Sequence, residues 1–167
     1  MAQTWKDSDI SLDTIKDQTI AIIGYGIQGD AQANNLKDSG LKVIVGLKEG
    51  GSSWNKAKDD GHEVMSVAEA CKKADIIHIL IPDMVQSKVY KDEIEPNLSE
   101  GKALAFSHAA AIYWGWIKAP DNIDTVSYTH LTFTPSESRR SNFFEPQFVQ
   151  IGHARAGFTN NSFVNYI

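Results

Sequence analysis

Residues 19–29, TIAIIGYGIQG, run a β-branched apolar segment straight into glycines at positions 24, 26 and 29. Thr19, Ile20, Ile22 and Ile23 suit a pleated strand, and no polar residue alternates with them, so both faces of that strand are buried. A strand apolar on both sides belongs in a parallel sheet covered by helices. Residues 30–38 follow with Ala31, Ala33 and Leu36 at small or apolar positions, and Ser39-Gly40 supplies a helix ending. This one strand–glycine–helix unit restricts the chain to an α/β fold.

The alternation continues. Residues 41–45 form a second buried strand, residues 54–60 a helix closed by Gly61, and residues 62–65 a short strand. Ser66 with Glu69 has the capping-box spacing for a helix that runs to Lys73. Residues 75–81 are almost wholly apolar, the best candidate for a central strand, and Pro82 stops them. Residues 84–90 are expected to be helical, residues 94–98 more weakly so, and residues 103–106 form a further strand. Strands alternating with helices imply a parallel sheet with right-handed crossovers and helices on both faces. A chain of 167 residues is enough for one such domain.

Charge excludes some partners. The net charge of -5 provides no footprint for nucleic acid, and no Lys/Arg cluster suggests a membrane surface. No apolar run approaches the roughly 20 residues of a membrane span, and the start, MAQTWKDSDISLDTIKDQ, lacks an apolar signal core. The expected location is cytoplasmic. The single cysteine, Cys71, cannot form an internal disulfide and is expected to be a small buried hydrophobe beside Ala70 and Ala74.

Gly24-Tyr25-Gly26-Ile27-Gln28-Gly29 has the G-x-G-x-x-G pattern in the setting it requires, strand before and helix after. Gly24 permits a tight turn, Gly26 lets backbone approach a pyrophosphate, and Gly29 lets helix and strand pack closely. The amides and positive dipole end of the helix attract the phosphates. A plain tight turn is the alternative. The second strand ends Val43-Ile44-Val45-Gly46-Leu47, with no acid to bind a ribose 2′-hydroxyl. Lys48, Ser52 and Ser53 beyond it can hold a 2′-phosphate, which favours NADP, although Glu49 opposes it.

Four stretches resemble one family, ketol-acid reductoisomerase: IAIIGYGIQGDAQANNLKDSG, VIVGLKEGGSSWNKA, ADIIHILIPDMVQSKVY and EIEPNLSEGKALAFSHA. They cover about residues 12–126, in order and with family-like spacing. The resemblance implies a Rossmann-like doubly wound sheet that binds NADP(H). It places Tyr25, Gly26, Ile27 and Gln28 along the pyrophosphate, between Gly24 and Gly29 of the motif, and Lys48, Ser52 and Ser53 on the adenosine phosphate. Asp83, after the strand that ends at Pro82, would lie beside the cofactor. His108 is the candidate catalytic residue, near nicotinamide and substrate. A structural or capping histidine is the other reading. Ala109-Ala110-Ala111 depart from the Gly-Phe-Asn-like residues usual after that histidine.

The family converts acetohydroxy acids such as 2-acetolactate and 2-aceto-2-hydroxybutyrate to 2,3-dihydroxy acids in branched-chain amino-acid biosynthesis. An alkyl shift precedes hydride reduction, and two Mg2+ ions polarise the oxygens. Their carboxylate ligands come from a helical, knotted C-terminal domain, which this sequence does not match. After Ala119, Asp121, Asp124, Glu137 and Glu145 are scattered, and Leu131-Thr132 stand where the family carries a lysine. The expectation is a chain that binds NADP(H), holds no metal ligands and does not catalyse unaided. A non-catalytic nucleotide-binding module, or another NADP-dependent 2-keto acid dehydrogenase using His108 as acid or base, are the alternatives.

The expected division is a dinucleotide-binding domain at 1–126 and a divergent or non-native tail at 127–167. The tail is rich in Ser, Thr, Asn and Phe, and residues 148–151 offer one strand. It is either a diverged continuation, with Arg139-Arg140 and residues 146–157 echoing later strands, or foreign sequence. VSYTHL, beginning at Val126, is the peptide that one frame of a common library transposon end encodes. A foreign tail would leave residues 103–106 as an open sheet edge, and with exposed aromatics would promote self-association as a homo-oligomer. Trp54 is expected to pack rather than stack on a ligand, and His78 to be a satisfied core residue.

Overall fold

The structure, a computed structural model, describes residues 11–108 and 110–127. Its strands are β1 (Thr19–Ile23), β2 (Lys42–Gly46), β3 (Glu63–Met65), β4 (Ile76–Ile79), β5 (Ala103–Phe106) and β6 (Asp124–Ser127). All pair in parallel, in the order β3-β2-β1-β4-β5-β6. The register sets Ile22 between Val45 and His78, and Phe106 between Ile79 and Ser127. The helices are α1 (Ile27–Asp38), α2 (Ser52–Asp59), α3 (Val67–Lys73), α4 (Asp83–Val89) and α5 (Ala110–Tyr113).

Alternate strand residues point to opposite faces, so a doubly covered sheet has two cores. Ile20, Ile22, Val45 and Ile76 pack with Ala33 and Leu36 of α1 on one face. Ala21, Ile23, Ile77, Ile79, Leu104 and Phe106 pack with Ala70 and Cys71 of α3 and with Ile94 on the other. This is the doubly wound parallel sheet that the sequence implied. Trp54 lies half-buried against the first cluster, as packing.

Local signals explain the helix ends. Ser66 Oγ accepts from the Glu69 N–H at 3.3 Å while Glu69 Oε2 accepts from the Ser66 N–H at 3.1 Å, the reciprocal capping box at the start of α3. At its other end Lys102 Nζ donates to the carbonyls of Cys71, Lys72 and Ala74. A single ammonium thus serves carbonyls that a helix end leaves without partners. Cys71 is fully buried there, and burial pushes its thiol up to about 12, so it is the inert small hydrophobe expected.

Two parts of the sequence reading need correction. The strand at Ala103–Phe106 is not an open edge, because β6 pairs with it along its whole length. The sequence hides β6 inside a polar stretch: its four residues are too few to show a period, although Thr125 and Val126 are β-branched and buried. The expected weak helix at 94–98 is instead a π-turn at Tyr90–Ile94 followed by a 3-10 turn at Glu95–Asn97. Pro96 lacks the N–H that an α-helix would need there. Tyr113, Trp114 and Trp116 are exposed just beyond β5. The expected strand at 148–151, Arg139-Arg140, Phe143, Phe144, Phe148 and the rest of the tail from 128 lie outside the described residues. Among the described residues no helix is long and apolar enough to cross a membrane.

Candidate functional site

Strand order reverses between β1 and β4. The chain leaves β1 toward β2 on one side, and β4 is added on the other. In open α/β sheets the crevice outside the carboxyl ends of such strands is where ligands bind. Backbone bonds fix its floor: the Gly24 N–H donates to the Gly46 carbonyl at 3.2 Å and the Leu80 N–H to the Ile23 carbonyl at 2.8 Å.

The three motif glycines divide their work. Gly24 has φ +100, and a Cβ there would stand 2.8 Å from Ile81 Cγ2 and 3.0 Å from the Leu80 carbonyl oxygen. A Cβ on Gly29 would fall 2.1 Å from the Gly24 carbonyl oxygen. Both are glycines because backbone packs against them. Gly26 differs: its Cβ would meet nothing within 4 Å. It is also the N-cap of α1 and has no side chain to cap it. The first amides of a 12-residue helix therefore open onto free space, which fits an anionic pyrophosphate.

The candidate residues follow one another along the carboxyl edge. Lys48, Ser52 and Ser53 lie past the tip of β2, where the Gly51 N–H donates to the Lys48 carbonyl at 3.0 Å and Gly51 is the N-cap of α2. Lys48 and Ser52 are exposed and Ser53 half-buried. The glycine loop follows β1. Pro82, the N-cap of α4, and Asp83, its first residue, follow β4. Exposed His108 follows β5, with Nδ1 3.7 Å from Asp83 Oδ2. Asp83 Oδ1 accepts from Gln86 Nε2 at 3.1 Å, and Gln86 Nε2 also donates to the Ile81 carbonyl at 2.9 Å. Ile27 and Met84, at the starts of α1 and α4, are each 89% exposed, apolar side chains at the two helix ends bordering the crevice. Met84 escaped the sequence reading, since a methionine in a helical run signals core as readily as a ligand wall.

Tyr25 takes an unexpected position. Its ring is buried on the far side of the loop, where Oη donates to Asp60 Oδ2 at 2.8 Å and accepts from Asn34 Nδ2 at 3.3 Å. Lys56 Nζ lies 5.6 Å from the ring centroid, and the His62 ring stands edge-on at 5.6 Å. Burial first, then the bond to Asp60, pushes the phenol's pKa up. Asp30 joins this cluster through Lys56 at 2.6 Å and Asn34 Nδ2 at 2.7 Å, and the Lys56 hydrogen bond holds its carboxyl below the usual range. Tyr25 thus offers the crevice only backbone, while its side chain ties α1 to α2.

A second polar group was visible in sequence only as separate residues. Gln32 Nε2 reaches Gln28 Oε1 at 3.3 Å and Ser107 Oγ at 3.4 Å, and Ser107 Oγ meets His78 Nε2 at 3.3 Å. His78 is buried in β4, as expected of a core histidine, and burial lowers its pKa to about 4.

Metal chemistry has less support. Among the described residues no group of three His, Cys, Asp or Glu side chains could hold a metal ion, and Asp83 with His108 makes only a pair. These residues do not fit a two-magnesium centre by themselves.

A strand order reversing at a glycine loop that opens onto a helix defines a doubly wound dinucleotide-binding domain. Over residues 14–130 the chain matches the family described as acetohydroxy acid isomeroreductase, NADPH-binding domain, and it belongs to that family. It is 80% identical over 126 residues to the ketol-acid reductoisomerase (NADP(+)) of Nitrosopumilus maritimus (strain SCM1), covering 75% of this chain and 38% of the relative. The Methanocaldococcus jannaschii enzyme of the same name is 59% identical over 124 residues, again 38% of its length. Among solved structures, an NADH-preferring ketol-acid reductoisomerase from an uncultured archean matches with TM-score 0.70 and 48% identity, over 72% of this chain and 38% of that one. An NAD-binding semialdehyde dehydrogenase protein from Cupriavidus necator, at TM-score 0.59 and 23% identity, covers 74% of this chain and 46% of its own and shows the fold alone. The chain therefore spans less than two fifths of the reductoisomerases it matches.

Proposed function

We propose that this domain binds NADP(H) across the carboxyl edge of its sheet, as the cofactor-binding part of a ketol-acid reductoisomerase. The carrying observation is the open face of Gly26 at the uncapped start of α1, between glycines that packing requires. In this reading the pyrophosphate lies on the amides of Gly26, Ile27 and Gln28. The adenosine phosphate lies at Lys48, Ser52 and Ser53, and the nicotinamide between Asp83 and His108. The order of these groups along the edge supports it. The absence of an acid at Gly46-Leu47 and the cation at Lys48 support NADPH over NADH.

When bound, the cofactor supplies a hydride. His108, with Asp83 beside it, would hold a proton near the acetohydroxy acid substrate. The resemblance places the Mg2+ ligands in a C-terminal domain that this sequence does not match, and the 167-residue chain is expected to bind cofactor without performing isomeroreduction unaided. A cytoplasmic location and a place in branched-chain amino-acid biosynthesis belong to the same reading. Reduction of another 2-keto acid is the second reading, and the accessible His108–Asp83 pair is the observation that favours it.

Titration of the purified chain with NADPH, then NADH, monitored by tryptophan fluorescence and melting temperature, tests the proposal. Saturable binding with tighter NADPH is expected, together with no turnover of 2-acetolactate in magnesium. A folded chain that responds to neither dinucleotide would overturn it. Turnover of another 2-keto acid would select the second reading.

A further inference from the structure

Buried polar side chains at sheet centres cost free energy unless each finds a partner. His78 lies in the central strand β4, and Gln32 lies on the inner side of α1; both are buried. They meet through one hydroxyl, Ser107 Oγ, in the residue just before His108. Gln32 continues the contact to exposed Gln28 in the first turn of α1. The links are 3.3, 3.4 and 3.3 Å, at the long end for hydrogen bonds. They join segments 75 residues apart in sequence.

The proton order follows from donor chemistry. Gln32 Nε2 has two hydrogens and is the donor to both Gln28 Oε1 and Ser107 Oγ. Ser107, having accepted one, retains its own hydroxyl proton. His78 is neutral near pH 7 because burial disfavours its charged form. With the imidazole proton on Nδ1, Nε2 accepts from Ser107, and each of the three links has one donor and one acceptor.

We infer that Gln32, Ser107 and His78 are positioning residues: a directional hydrogen-bonded chain from β4 that fixes the orientation of Gln28 at the glycine loop and of the turn carrying His108. Its effect on a dinucleotide rests on the function proposed above. The chain crosses beneath the crevice, from the pyrophosphate side at Gln28 to the nicotinamide side at His108. Neither end is then free to turn independently of the other.

The test is 15N NMR of the 167-residue chain, with NADPH titration of the same samples. At pH 7 His78 is expected with Nε2 unprotonated and accepting. Ser107→Ala should shift that nitrogen and also the side-chain amide signals of Gln32 and Gln28, whereas Ser107→Thr, which keeps the hydroxyl, should restore them. NADPH affinity should fall roughly three- to tenfold in Ser107→Ala and in the volume-conserving Gln32→Met, with little further loss in the double variant. Either variant reports on the chain if the other fails to fold. A proton on His78 Nε2, unmoved Gln28 and Gln32 amides, or undiminished NADPH affinity in both variants would overturn the inference. The full NMR response without any NADPH binding in the parent chain would uphold the hydrogen-bonded chain and overturn the cofactor proposal instead.

Discussion

Asp83 Oδ2 stands 3.7 Å from His108 Nδ1, bridging the turns after β4 and β5. The carboxylate is aimed by Gln86, whose one amide nitrogen serves both Asp83 Oδ1 and the Ile81 carbonyl. Gln86→Leu should therefore lower stability by about 1–2 kcal/mol, because a carbonyl loses its donor. Urea denaturation measures this, and an unchanged midpoint would show that Gln86 does not hold the turn.

The glycines should separate packing from binding. In Gly29→Ala the new methyl meets the Gly24 carbonyl oxygen at 2.1 Å, so the loop must shift, at a cost of about 3 kcal/mol. Gly26→Ala meets nothing within 4 Å and should change stability by less than about 0.5 kcal/mol. Under the proposed binding mode its methyl would nevertheless occupy the space through which the pyrophosphate approaches. Melting curves with and without NADPH should show Gly29→Ala destabilised in both states and Gly26→Ala deficient only in the ligand-dependent increase.

Tyr25→Phe keeps the ring and removes the hydroxyl that Asp60 and Asn34 share. A loss of about 1 kcal/mol is expected, with NADPH affinity unchanged, since the hydroxyl faces away from the crevice. The raised phenol pKa adds a sign. In the unfolded chain Tyr25 ionises near pH 10, but in the fold it stays protonated to higher pH. Its contribution is therefore complete below about pH 10 and is lost as pH rises further. Alkaline denaturation should show the parent's advantage over the phenylalanine variant constant below about pH 10 and narrowing above it.

His78 predicts the opposite dependence. Unfolded, it takes a proton near pH 6.5; folded, burial depresses that to about 4. Between those values the unfolded state binds more protons, so stability falls on acidification across that window, by up to about 3 kcal/mol. Asp30 and Glu69, with carboxyl pKa values already below the ordinary range, lose their contributions at lower pH. Denaturation midpoints of the parent should decline from pH 6.5 to 4.5, and His78→Gln should flatten that slope. An equal slope in both would remove His78 as its source.

Much of the fold was legible because its signals are local. The apolar run of β1, the glycines behind it and the Ser66–Glu69 cap each specify their element within a few residues. α1 begins at Ile27, three residues before the expected 30, because the glycine motif itself opens the helix. β6 was not legible, since its place in the sheet comes from pairing with β5 rather than from its own pattern. The candidate site divides in the same way. Backbone roles at Gly24, Gly26 and Gly29 follow from spacing, whereas the outward turn of Tyr25 depends on Asp60 and Asn34, which no motif links to it. Gln32, Ser107 and His78 are distant in sequence and meet only because β4 and β5 are neighbours.

The position of β1 between β2 and β4 also orders the folding of the chain. β1, β2 and β3 lie within residues 19–65, but β4, from residues 76–79, must add to the free edge of β1 before a crevice exists. Closing so distant a pairing is slow, and a dinucleotide has nothing to grip until it is done. Such a ligand cannot template the early steps; it can only trap molecules whose central strands have already met, and by mass action draw the population toward them.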